Sequence, residues 1–189
     1  MLLCVSVAVV WYMHSRGRVW FYTSDIHNCG KYRIMGSGVA SEKTMFDYVK
    51  RYNPQISDQK LKYIIKTYVW ESRYEGVNHD VAFANMCHET NFLKFGGSID
   101  ERQNNFNGLG TMSHDVWAWF YTMRDGIRAH VQHLKAYGSR LPLNNERVDP
   151  RFDIVERGVS KDIYGLGGHW APNYGKAIEM KMNAMLTAQ

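Results

Sequence analysis

Met86-Cys87-His88-Glu89-Thr90-Asn91-Phe92-Leu93-Lys94-Phe95-Gly96-Gly97, followed by Gln103-Asn104-Asn105-Phe106-Asn107-Gly108-Leu109-Gly110, joins a helical pattern to a glycine- and asparagine-rich loop. Upstream, Asn78 caps a helix through Val81, Ala82, Phe83, Ala84, Met86, Cys87 and Thr90. That helix is apolar on most faces, so it is expected to be central and buried. Phe83, Met86, Cys87 and Thr90 share one stripe, while Glu89 lies on another with Asn85 and Ala82, one and two turns before it. A carboxyl in the last turn of a buried helix is no ordinary surface charge. The negative end of the helix dipole and the loss of water both favour its neutral form. A carboxylic acid that keeps its proton near neutral pH is a general acid, the group glycosidic cleavage requires. The other reading is a structural carboxylate paired with an Arg or Lys.

Other helices flank this one. Ser41 caps a helix running through Met45, Tyr48 and Val49 to the Asn53-Pro54 break. Ser57 caps the next, in which Leu61, Ile64, Ile65, Tyr68 and Val69 follow the i, i+3, i+4, i+7, i+8 pattern before Glu75-Gly76 stops it. Residues 95 to 122 lack helical period and read as a loop, with a short hairpin over Val116 to Tyr121. A helix with Ile127, Val131 and Leu134 on its buried stripe ends at Tyr137-Gly138. Residues 139 to 169 are mostly irregular. Pro172 opens a last helix in which Tyr174, Ile178, Met182, Met185 and Leu186 recur at helical spacing. The fold class is mainly α, with a small loop and hairpin lobe beside a cleft.

The 189 residues suffice for one domain with a core, residues 36–189, preceded by a leader and linker over residues 1–35. Leu2 to Met13 run apolar and end at His14-Ser15-Arg16-Gly17-Arg18. The run is shorter than the roughly 20 residues a membrane span needs, so it reads as an export signal rather than a transmembrane helix. A buried strand is the other reading, since Val5, Val7, Val9, Val10 and Trp11 are good strand formers. The cell envelope is the expected location, with membrane contact only through the leader. Net charge is +5 and pI is about 9.1, which suits an anionic partner. The basic residues are scattered rather than clustered, which argues against nucleic acid.

Cys4, Cys29 and Cys87 show neither metal spacing nor a disulfide framework, and Cys87 reads as a small buried hydrophobe. His130 and His133 stand three apart on one helix, as zinc ligands can, yet no third ligand has recognisable spacing. Neither a metal nor a cofactor is expected, and these histidines are expected on the solvated surface. Gly165-x-Gly167-Gly168 lacks the strand-loop-helix context and the following Lys of a phosphate loop.

Four ordered blocks resemble the bacterial glucosaminidase family, glycoside hydrolase family 73, whose fold is lysozyme-like. They are Glu89-Thr90 with Phe95-Gly96-Gly97; Gln103 through Gly110; Asp125-Gly126-Ile127-Arg128-Ala129-His130-Val131-Gln132-His133-Leu134-Lys135-Ala136-Tyr137; and Trp170-Ala171-Pro172-Asn173-Tyr174-Gly175. The set looks most like the shorter branch, labelled mannosyl-glycoprotein endo-β-N-acetylglucosaminidase. The resemblance implies an enzyme that cleaves β-1,4 bonds of N-acetylglucosamine in peptidoglycan strands, acting as a monomer. Glu89 would be the proton donor and Tyr174 the late active-site Tyr. Asn105, Phe106 and Gly108 would form the loop wall beside the scissile bond. Trp170 would either stack on sugar or anchor the core. For a second carboxylate, Thr111 to Tyr121 offers only Asp115. The other option is attack by the substrate's own 2-acetamido group. Lytic transglycosylase or muramidase action, cleavage of N-glycan chitobiose cores and non-catalytic wall binding are the competing functions.

Overall fold

The structure, a computed structural model, describes residues 30–110, 116–170 and 172–187. The apolar run of the N-terminus, Cys4, Cys29, His114, Asp115 and Ala171 therefore lie outside the described residues. Chain contacts divide the protein into Met1–Tyr32 and Arg33–Gln189. The second unit is helical, as expected. Its α-helices are α1 (Glu42–Tyr52), α2 (Asp58–Glu75), α3 (His79–Glu89), α4 (Met123–Gly138) and α5 (Tyr174–Leu186). Short 3-10 turns cover Glu101–Gln103 and Gly165–Gly168.

Local chemistry sets the helix ends. Ser41 Oγ accepts from Thr44 N–H at 3.0 Å, and Asn78 Oδ1 accepts from Asp80 N–H at 3.0 Å. Such caps are each worth about 1 kcal/mol. Thr122 and Asp125 form a reciprocal capping box at the start of α4. Gly76, at φ 73°, ends α2 in the left-handed conformation that a Cβ would disfavour.

α3 is the central helix: every residue from Asp80 to Cys87 is buried. It packs on α2 and α5, and α2 lies along α4. Ile64, Ile65, Tyr68, Phe83, Met86, Ile127, Leu134 and Ile178 fill the interior at 0–1% exposure. The start of the domain is tied to α3. Asp80 accepts from Val39 N–H at 2.8 Å and Ala40 N–H at 3.0 Å, and Ile34 is fully buried.

Two buried carboxylates lock the α2–α4 contact. Glu75 pairs with Lys135 at 2.7 Å and also accepts from the Asn144 and Asn145 N–H groups. Glu71 receives Arg124 Nε at 2.6 Å, Arg128 Nε at 3.1 Å and Asn145 Nδ2 at 3.2 Å. Each charge is thus countered and hydrogen-bonded, the condition under which burial is tolerated.

The lobe differs from the expected hairpin over Val116 to Tyr121. Gly110 and Trp117 form an antiparallel bridge, with Ala118 N–H donating to Leu109 C=O at 2.8 Å. The segment pairs with the arm before it instead of folding back on itself. Among the described residues it forms no longer strand. Phe120 N–H reaches Gln103 C=O at 2.9 Å and Asn104 Nδ2 reaches Phe120 C=O at 3.0 Å, so the lobe is held mainly by loop-to-loop bonds.

Candidate active site

Glu89 is the last residue of α3, half-buried, and it opens on a cleft of about 770 Å³. Phe95, Ile99, Asn107, Gly108 and Trp117 line it from the loop lobe, and Trp170 and Tyr174 from the end of the chain. The cleft size falls within the ordinary range for ligand sites.

The backbone just past Glu89 is unusual. Asn91, Phe92 and Leu93 all have positive φ (48°, 59° and 62°), as does Phe95 at 55°. Left-handed geometry costs roughly 1–2 kcal/mol per ordinary residue. Specific contacts offset it. Phe92 stacks on Tyr52 with ring centroids 4.0 Å apart, and Asn53 Nδ2 donates to Phe92 C=O at 3.0 Å. Thr90 Oγ1 accepts from Leu93 N–H at 2.9 Å. This turn ends the helix abruptly, so Glu89 meets open space instead of another helical turn.

Gly108, at φ 65°, completes the opposite wall, where an added Cβ would stand 3.7 Å from Glu89 Oε2. The loop that carries it closes against α4 at Gly126, where a Cβ would overlap the Asn104 carbonyl oxygen. The glycine in the Asp125-Gly126-Ile127 block is therefore a close-approach position.

Burial pushes the Glu89 carboxyl above the usual range, and hydrogen bonds from the Tyr174 and Trp170 side chains pull it partly back. Among the described residues no cation forms an ion pair with it. The structural-carboxylate reading needed such a pair, and the Arg and Lys residues instead serve Glu71 and Glu75. Tyr174, 3% exposed, places its hydroxyl against Glu89 Oε1 and 3.0 Å from Asn85 Oδ1. Burial, and next the Glu89 charge, hold the phenol well above its ordinary pKa, so it remains a proton carrier at neutral pH. The hydroxyl has one proton for two acceptors. It donates to Glu89 Oε1, which leaves the carboxyl's other oxygen, Oε2, on the Gly108 side of the cleft.

Trp170 lies parallel to Tyr174, with centroids 5.3 Å apart and planes 12° off, and its other neighbours are His133 and Tyr137. It is anchored by these rings and partly open to the cleft.

Asn105 and Phe106 do not line the cleft. Asn105 is fully buried and donates to the Leu109 and Ala118 carbonyls at 2.8 and 3.1 Å, while accepting Leu109 N–H at 3.0 Å. It is the loop's internal tie. Phe106, 2% exposed, packs against Tyr68 and Phe95. The residue that sequence reasoning missed is Asn107. It lines the cleft at 2% exposure, and neither of its side-chain polar atoms has a partner. Leaving such groups unsatisfied costs roughly 1–3 kcal/mol each. The Asn107-Gly108 turn signal was the clue to it.

The histidines are also placed differently from expectation. His130 is fully buried and shares a 2.8 Å hydrogen bond with Tyr68 Oη, and burial followed by the proximity of His133 pushes its pKa down to about 3. His133 is 6% exposed, with Nδ1 2.9 Å from Asp149 Oδ2. Both are buried because α4 is covered on every face from Ala129 to Tyr137, not only along its apolar stripe. Among the described residues no cluster of His, Cys, Asp or Glu could hold a metal. Asp100 caps a 3-10 turn and pairs with Arg102, Glu101 pairs with Lys60, and neither lines the cleft.

One uncountered acid in an aromatic-lined cleft, on a lysozyme-like helical domain, defines a glycosidase-type site. Comparison with known proteins agrees. Residues 65–186 match the glucosaminidase family, described as mannosyl-glycoprotein endo-β-N-acetylglucosaminidase. The chain belongs to that family, and so to the class of glycosidases that act on peptidoglycan. It is also 36% identical over 154 residues to an uncharacterized protein of Borreliella burgdorferi, covering 81% of this chain and 74% of the relative. No solved structure gives a significant match.

Proposed function

We propose that this protein is an endo-β-N-acetylglucosaminidase that hydrolyses the β-1,4 bond after N-acetylglucosamine in peptidoglycan. The observation that carries the reading is the Glu89 carboxyl, desolvated, free of any cationic partner among the described residues, and open to the cleft. In this reading Glu89 protonates the glycosidic oxygen as the bond breaks. Tyr174 holds the carboxyl in place and takes up the change in hydrogen bonding as the proton leaves. Trp170 and Trp117 offer aromatic faces to sugar rings. Among the described residues Glu89 is the one carboxylate lining the cleft, and attack by the substrate's 2-acetamido group, followed by water, completes the reaction in this reading. Asp115 as a second carboxylate is the competing assignment.

Product analysis of digested peptidoglycan tests this. Glucosamine reducing ends support it, and anhydro-muramic or muramic ends assign a transglycosylase or muramidase instead. Release of glycan from a glycoprotein as fast as wall digestion would assign the chitobiose-core activity. Binding without turnover would leave a wall-binding module. The basic charge and the apolar run Leu2–Met13 support export to the cell envelope, and recovery in the cytoplasmic fraction would overturn that. The active species is a monomer, which sedimentation tests.

A further inference from the structure

Beyond Trp170 the cleft has a side branch of about 190 Å³, which shares Asn107, Gly108 and Trp170 with the main cavity. We propose that this branch is a carboxylate-binding subsite for an acid-bearing substituent on the sugar next to the bond that Glu89 attacks. The inference rests on the peptidoglycan reading above and names the part of that polymer the branch holds.

Three observations carry it. Asn107, 2% exposed, lies where the branch meets the cleft with both its amide oxygen and its amide nitrogen unpartnered. Buried amides are nearly always satisfied, so an orphan lining a cavity marks the place of a polar ligand. The opposite wall is organised by one buried carboxylate. Asp149, 1% exposed, takes His133 Nδ1 on Oδ2 at 2.9 Å and the Arg151 N–H on Oδ1 at 2.8 Å. It thereby ties down both the imidazole and the backbone of the arginine, and both residues line the branch. Finally, among the described residues the charged or titratable side chains lining the branch are Arg151, His133, Tyr137 and His169, a set of donors and cations. A guanidinium offers forked N–H donors that match a carboxylate in geometry as well as charge.

Size decides what kind of acid fits. The branch, at about 190 Å³, is roughly a quarter the size of the main cleft, the scale of a substituent beside the sugar-sized groove. In peptidoglycan alternate sugars carry a lactyl ether. Its carboxyl is either free or amide-linked to a stem peptide that bears carboxylates of its own. The shared chemistry is a carboxylate on a short tether from the sugar ring.

Binding can be read without turnover. Glu89→Gln protein is titrated by NMR with the disaccharide of N-acetylglucosamine and N-acetylmuramic acid, and separately with chitobiose. The acid-bearing sugar is expected to bind at least about tenfold more tightly, with imidazole shifts at His133 and His169. Adding Arg151→Gln should remove the preference, and Arg151→Lys should keep part of it. Equal affinities, or a preference that survives Arg151→Gln, overturn the proposal. In the active protein, Arg151→Gln should lower the ratio of kcat/KM on peptide-stripped glycan strands to that on chito-oligosaccharides by roughly tenfold. An unchanged ratio overturns it. Running stripped strands beside strands that retain stem peptides assigns the carboxylate to the lactyl group or to the peptide. A wild type that cuts neither polymer would refute the hydrolase reading and leave the titration as an independent test.

Discussion

Tyr174 Oη meets the Glu89 carboxyl across 85 residues of chain, and the same hydroxyl lies 3.0 Å from Asn85 one turn earlier on α3. The first turn of α5 thus holds the acid at the last turn of α3. The two helices pack together, so the catalytic geometry is as stiff as that contact.

Glu89→Gln should lower turnover of peptidoglycan by roughly 10²–10⁴-fold, the usual contribution of a general acid. It should also stabilise the fold at higher pH. The folded pKa of Glu89 is raised above its ordinary value by burial. Its contribution to stability is therefore fully present below the unfolded pKa and lost as pH rises through the folded one. The Tm of the variant minus that of wild type should grow over that window. A difference independent of pH would mean the carboxyl is not desolvated.

Tyr174→Phe removes a hydrogen bond that lowers the Glu89 pKa. The alkaline limb of the kcat/KM profile, which reports ionisation of the acid, should then move to higher pH. Turnover should fall roughly tenfold through looser positioning. A limb that moves to lower pH would assign another group to it.

Lys135→Met leaves Glu75 buried with only the Asn144 and Asn145 N–H groups for company. Urea unfolding should show a loss of about 3–5 kcal/mol. Replacing both partners, Glu75→Gln with Lys135→Met, should lose less, because no buried charge is stranded.

Gly126→Ala places a methyl where the Asn104 carbonyl already stands. The cost should reach about 1–3 kcal/mol or more. Because the loop displaced carries Asn107 and Gly108, KM should rise along with the loss of stability. A variant as stable as wild type would show that the loop does not close on α4.

Much of the fold was legible in the sequence. Ser41, Ser57 and Asn78 do start helices, and the stripe through Leu61, Ile64, Ile65 and Tyr68 does face the core. Asn105 and Asn107 were not distinguishable, since both are polar loop residues of one type. One turns inward as a tie and the other lies at the cleft. His130 and His133 look like surface residues by type, yet packing covers α4 on every side from Ala129 to Tyr137.

By its own periodicity the chain determined where helices start and stop and that an acid stands at the end of one that is apolar on most faces, because those are effects of neighbours within one or two turns. Tertiary packing alone decided the left-handed turn at Asn91, Phe92 and Leu93, which is unfavourable locally and held by contacts from Tyr52 and Asn53. It alone brought Tyr174 and Trp170 to Glu89. No local pattern encodes a hydrogen bond between residues 85 positions apart; it exists only because α3 and α5 share a core.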